Sequence, residues 1–274
     1  MTLGLGTYMF RWSIGHKDLV PDKPLTPMDI LTIADTHGFK VVQYADNMPL
    51  ETLSDEALQT LYKTSCDKGI ALELGTESFD ADEVARNIDL AGRIDAKILR
   101  IALDTKDAAK PVSELAAEFT ELLPQAKENG VRLAIENHFN FPSRRLVELL
   151  DVIADDSLGV CLDVANSICA GEWPMETVGI LAPFTINLHL KDYVIIPDAY
   201  GVGFRIYGCP LGTGKLDIDA VMKALQHCPG DMSVILEHWL PKTNDDLVAA
   251  RAKEHEWLAA HIKAAKESVP SKWL

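Results

Sequence analysis

Four apolar runs of strand length each end in side chains that bind hard cations. Leu133-Ala134-Ile135 runs into Glu136, Asn137 and His138, and Val160-Cys161-Leu162 into Asp163. Ile186-Asn187-Leu188 ends at His189, and Val234-Ile235-Leu236 at Glu237 and His238. If these runs are parallel neighbours, Glu136, Asp163, His189 and Glu237 meet at their C-terminal ends. Three carboxylates and one imidazole form an oxygen-rich donor set suited to one divalent ion. Without a cation, such a group would suffer mutual repulsion and desolvation. Any one of the four alone reads equally well as a helix cap or salt-bridge partner. At the ends of four runs, metal coordination is the economical explanation. Mn²⁺ is the first expectation, with Co²⁺, Mg²⁺ or Zn²⁺ able to substitute.

Other residues stand close to these ends in sequence. His138 lies two positions past Glu136 and shares its face. It reads either as a substrate contact or acid/base, or as a hydrogen-bond partner of a ligand carboxylate. Lys191 lies two past His189. It reads as an anchor for a carboxylate or phosphate, as a Schiff-base lysine, or as the salt-bridge partner of Asp192. Gln43, Glu73 and Arg100 fall toward the ends of three earlier runs; Arg100 could grip an anion and Glu73 could bond hydroxyls or position Lys191. Tyr8, Trp12 and Trp239 could wall a sugar. The stretch from Tyr193 to Gly214 carries Gly201, Gly203, Gly208, Gly212 and Gly214. It reads as a lid or as a contact in a homo-oligomer, with Arg205 reaching a site.

The elements that must position these groups alternate along the chain. Strands are expected at Leu3–Phe10, Val41–Ala45, Ala71–Leu74, Lys97–Ala102, Leu133–His138, Leu158–Val164, Thr185–Leu190 and Ser233–His238. Helical patterns lie between them. The clearest places Val112, Leu115, Ala116, Phe119, Leu122, Leu123 and Ala126 on one face. Thr26-Pro27 starts a helix that Gly38 stops, and Ser54 caps another that Gly69 ends. Lys191 to Leu216 reads as a loop, and a final helix as spanning about Asn244 to Ala265. Alternation of this kind implies a parallel sheet. Eight such units in one chain fit a single-domain (β/α)₈ barrel, in which strand C-terminal ends carry the chemistry. No G-x-G-x-x-G opens a helix, which counts against a dinucleotide fold.

Composition narrows the partners. The chain has 274 residues, 47% hydrophobic, enough for one large core. Its net charge of -15 argues against nucleic acid, which needs clustered Lys and Arg. Five cysteines without a C-x-x-C pair suggest a reduced, cytoplasmic setting. Neither a signal peptide nor a membrane-spanning run is expected.

The strings I-E-N-H, C-L-D-V-A-N, N-L-H-L-K-D and I-L-E-H resemble those of the xylose isomerase-like barrels. That family holds sugar (phosphate) isomerases and epimerases as well as type IV AP endonucleases. The resemblance covers nearly the whole chain. It implies one metal, commonly manganese, on Glu136, Asp163, His189 and Glu237, with Glu136 and Glu237 doubling as acid and base. The endonuclease branch needs further histidines on earlier strands, where this chain has Gln43 and Glu73. Family ketose 3-epimerases carry a His three residues after the metal-binding Asp, and an Arg several residues after the metal-binding His. Here those places hold Asn166 and Ile195. G-T-Y-M-F-R-W-S-I-G at residues 6 to 15, Val42-Gln43-Tyr44-Ala45-Asp46-Asn47, and Asp163-Val164-Ala165-Asn166-Ser167 look closer to a subgroup that includes 3-oxo-isoapionate decarboxylases. Relatives of the C-glycoside deglycosidase α subunits are also similar. The resemblance implies a small keto-sugar or sugar-acid substrate. Isomerisation or epimerisation through an enediolate comes first, then decarboxylation or elimination from a 3-oxo compound.

Overall fold

A computed structural model describes residues 1–103, 105–241 and 246–269. Among these, eight parallel strands close into a barrel, as the alternation predicts. They are β1 (Thr2–Gly6), β2 (Val41–Tyr44), β3 (Ala71–Thr76), β4 (Ile98–Ala102), β5 (Arg132–Glu136), β6 (Leu158–Asp163), β7 (Thr185–Leu190) and, after a hairpin of β8 (Asp192–Pro197) and β9 (Phe204–Cys209), β10 (Ser233–Leu236). β10 returns to pair with both β1 and β7, closing the ring.

Helices cover the outside because their apolar stripes have nowhere else to go. In Val112–Glu128, all six of Leu115, Ala116, Phe119, Leu122, Leu123 and Ala126 are buried, as the 3.6-residue spacing requires. Thr26 forms a capping box with Asp29 at the start of Pro27–His37. These caps and stripes fix where each helix begins, and hence where each strand end opens.

The inside of the barrel is filled asymmetrically. A Cβ at Gly4 would lie 2.6 Å from Ile235 Cδ1, so β1 yields its inward volume to the β10 side chain. Elsewhere the interior is polar. Gln43, Glu73, Asn187 and Ser233, all buried, hydrogen-bond to one another across four strands.

Strand ends shift by one or two residues at several places, such as β3 ending at Thr76 and β10 at Leu236, and three stretches differ more. The first strand ends at Gly6, and Thr7–Phe10 and Arg11–Ile14 are short helical turns. Apolar and aromatic residues there mimic a strand but pack as a turn against the last helix. The stretch read as a loop holds the antiparallel β8–β9 hairpin. Its glycines suggested irregular backbone, yet Gly201 and Gly203, both with positive φ, turn the tip instead. The final helix is Leu247–Ser268; the expected start at Asn244 lies outside the described residues. No described helix is long and apolar enough to cross a membrane.

Candidate active site and metal centre

The ends of β5, β6 and β7 bring Glu136, Asp163 and His189 together. One donor atom from each lies within 4.8 Å of the others, and all three residues are buried. Glu237, just past β10, joins them: its Oε1 is 3.3 Å from His189 Nδ1. The same nitrogen is 3.5 Å from Glu136 Oε1 and 4.0 Å from Asp163 Oδ2.

Each group is held from behind. Asn137 accepts the Asp163 backbone N–H at 2.7 Å and donates to the Asp163 carbonyl at 2.8 Å. Asp163 Oδ1 accepts the backbone N–H groups of Ala165 and Asn166, which leaves Oδ2 to the cluster. His189 Nε2 lies 2.8 Å from Gln43 Oε1. Gln43 Nε2 donates to Glu73 and Asn187, so its oxygen is the acceptor and His189 Nε2 carries a proton. His189 Nδ1, fully buried and without a hydrogen-bond partner, then faces three carboxylates. A divalent cation is what this donor set and this orphaned nitrogen fit.

Two permanent cations border the cluster. Lys191 Nζ lies 2.6 Å from Asp163 Oδ2 and 2.8 Å from Glu237 Oε2. Arg100 Nε lies 3.5 Å from Glu136 Oε2, while Nη1 donates to the Thr76 carbonyl and Nη2 faces Asp46 at 3.6 Å. Burial alone would raise the Glu136 and Glu237 pKa values. Arg100 and His189 around Glu136, and His189 and Lys191 around Glu237, outweigh it and hold both below the usual carboxylate range. Burial raises Asp163 against the pull of Lys191. Burial would lower His189, but Cys161, Glu237 and Glu136 hold it well above the usual imidazole value.

A cavity of about 220 Å³ opens over this cluster, reached by Glu136, Glu237, Lys191, Arg100, Asn166 and His138. Tyr8 lines it too and donates from its hydroxyl to Asp46 at 2.6 Å. Asn166, in the position where the epimerase pattern has His, donates to Glu136 Oε1 at 2.8 Å.

Four expected site residues are placed differently. Trp12 packs on Leu240, Ala250 and Trp257 with its indole N–H on the Leu240 carbonyl, behind the cavity wall. Gln43 reaches His189 from below, not the cavity. Glu73 sits inside β3, bonded to Gln43, Asn187 and Ser233, and borders an opening at the other end of the barrel. It does not position Lys191. Arg205 is exposed on β9 and pairs with Asp198 at 3.3 Å. Asp192 likewise does not pair with Lys191. Its carboxylate accepts the backbone N–H groups of Tyr193, Gly212, Gly214 and Leu216, pinning the base of the hairpin.

The geometry also brings in residues that strand-end reasoning passed over. Arg11, in the helical turn that follows the first strand, and Asp46, Glu77 and Phe139, in loops after β2, β3 and β5, line the cavity. Their position shortly after a strand end was the available signal.

A sequence profile of the xylose isomerase-like TIM barrel family matches residues 31–261. The chain belongs to this family. It is 32% identical over 241 residues to a 3-oxo-isoapionate decarboxylase of Pectobacterium atrosepticum, covering 88% of this chain and 86% of that one. Two solved structures share the fold. The IOLI protein with a bound zinc atom superposes with a TM-score of 0.74 at 17% identity, over 100% and 99% of the two chains. D-psicose 3-epimerase in the presence of D-fructose superposes with a TM-score of 0.73 at 15% identity, over 98% and 99%. The barrel fold is thus shared with a structure described as an epimerase, while the 32% identical relative is described as a decarboxylase.

Proposed function

We propose that the chain is a divalent-metal-dependent decarboxylase of a 3-oxo sugar acid. The observation that carries this reading is the burial of two permanent cations, Lys191 and Arg100, against the metal-ligand carboxylates. Three carboxylates facing a divalent ion leave one negative charge. Lys191 and Arg100 reverse it where little water screens it. At the more exposed rim Asp46 and Glu77 bring two negative charges and Arg11 one positive, so the positive charge is local to the buried Lys191 and Arg100. An anionic guest therefore suits the cavity, and a substrate carboxylate supplies one.

Glu136, Asp163, His189 and Glu237 would hold the ion, Mn²⁺ first by its donor chemistry. When bound, the ion would draw charge toward the oxygen of a neighbouring ketone. Lys191 and Arg100 orient the carboxylate. The C–C bond to the carboxylate breaks, its electron pair passes into the ketone to give an enolate, and CO₂ leaves. One proton then returns to that carbon. Glu136 and Glu237 are held ionised and are weak proton donors, so His138 on the cavity wall is the group placed to deliver it. The identity to a decarboxylase supports this reading.

Epimerisation is the second reading. It is supported by Glu136 and Glu237 both lying within 3.5 Å of one imidazole nitrogen, a pair that could work from two sides of a carbon. The test is to give the Mn²⁺-loaded protein a panel of 3-oxo sugar acids and matched neutral ketoses. CO₂ from an acid, without inversion of any ketose, supports the decarboxylase. Inversion of ketoses with no CO₂ contradicts it.

A further inference from the structure

Beside the polar cavity lies a larger one, of about 750 Å³ against about 220 Å³. The two share Arg11, Phe139, Asn166 and Trp239 in their linings, so they lie side by side. Their chemistry differs sharply. The inner cavity is lined by carboxylates, cations and imidazoles. The outer one is largely hydrocarbon, with Ile168, Ile206 and Leu240 in its wall.

The outer wall is built, not improvised. Gly208 on β9 lies against the Trp239 backbone so closely that a Cβ there would fall 2.3 Å from the Trp239 carbonyl oxygen. The root of the same hairpin is fixed by the Asp192 carboxylate. At the neck, the Phe139 and Trp239 rings stand 6.2 Å apart at 45°, and Lys191 Nζ sits 5.1 Å from the Trp239 ring. A polar head that reached Lys191 would lie alongside this touching aromatic pair, against the Trp239 ring. Whatever is attached to that head would emerge into the apolar chamber.

The inner cavity alone has the volume of roughly seven liquid waters, the scale of a small sugar acid. The outer one falls within the ~300–1,000 Å³ range of small-molecule sites. A bare sugar acid would leave its apolar wall wet, whereas an apolar substituent would cover it with a gain proportional to area. We propose that the outer cavity is a second subsite, which holds a flat apolar substituent carried on the same molecule as the anionic keto-sugar. This rests on the reading of the inner cavity as an anion site and narrows its substrate to aryl- or comparably substituted sugar acids.

The test uses two unreactive sugar acids that differ only in this part, methyl β-D-glucuronide and phenyl β-D-glucuronide. Binding to the Mn²⁺-loaded protein is measured by calorimetry. The phenyl compound is expected to bind about tenfold tighter or better, a difference of about 1.4 kcal/mol. Cys169, an exposed residue in the outer wall, gives two site-specific readouts. Phenyl glucuronide should slow its alkylation by a maleimide more than methyl glucuronide does. Cys169→Trp, at a surface position that does not threaten folding, should bring the ratio of the two affinities close to one. Equal affinities in the unaltered protein overturn the subsite while leaving the inner anion site standing. A phenyl preference that neither protects Cys169 nor responds to Cys169→Trp also overturns it. Binding of neither compound overturns the anion site and this proposal together.

Discussion

Gln43 Oε1 lies 2.8 Å from His189 Nε2, and through that contact a residue outside the cavity sets which nitrogen of His189 faces the carboxylates. Gln43→Leu removes the acceptor and releases the tautomer. Metal affinity should fall about 10- to 100-fold, the usual cost of losing such a supporting contact. Asp163→Ala and His189→Ala should abolish tight binding altogether. Calorimetric titration with Mn²⁺ checks all three, and an unchanged affinity in Gln43→Leu would remove the role given to that contact.

Lys191→Met keeps the length of the side chain and deletes its charge. On a 3-oxo sugar acid, kcat/KM should fall about 10- to 100-fold, from the ~1.5–3 kcal/mol worth of a hydrogen bond to a charged group. Metal content should not fall, because the ammonium repels the cation it borders. Kinetics paired with elemental analysis separate the two effects. Loss of metal in the variant would mean that Lys191 supports the ligands instead of the substrate.

Glu254 gives a pH dependence away from the metal. It is 1% exposed on the last helix and accepts the Trp12 backbone N–H and the Ser13 hydroxyl, each at 2.6 Å. Burial pushes its pKa up to about 7, with Ser13, Trp12 and Arg251 pulling the other way. A carboxyl with a raised folded value binds its proton more tightly when folded. Its ionisation therefore costs nothing below the unfolded value of 4.5, and the cost grows until pH passes about 7. Glu254→Gln keeps an acceptor for Trp12 and cannot ionise. It should gain on the order of 3 kcal/mol relative to the unaltered protein at pH 8 and nothing at pH 4.5. Urea unfolding at both pH values measures this, and an equal difference at the two would contradict the assignment.

The barrel was legible because its signals are local: an apolar run, a cap, a 3.6-residue stripe. Glu136, Asp163 and His189 were legible because each ends such a run. Gln43 and Glu73 misled because the barrel interior is itself polar here, so a polar residue on a strand need not be at its mouth. Trp12 misled because an aromatic side chain after the first strand serves packing on Trp257 as well as it would serve a sugar. The β8–β9 hairpin was missed because glycines at its tip and root look like loop composition. Only pairing across the hairpin, which no single stretch displays, reveals it. Arg205 fell with that misreading, since its strand points it to solvent.

Following CO₂ and deuterium together in D₂O tests the account most directly. The Mn²⁺-loaded protein is given a 3-oxo sugar acid, and product and recovered substrate are examined by NMR. Release of CO₂ with one solvent deuterium at the former carboxyl-bearing carbon of the product, and none in recovered substrate, is expected. Deuterium entering recovered substrate or a neutral ketose, with no CO₂ released, would contradict the account.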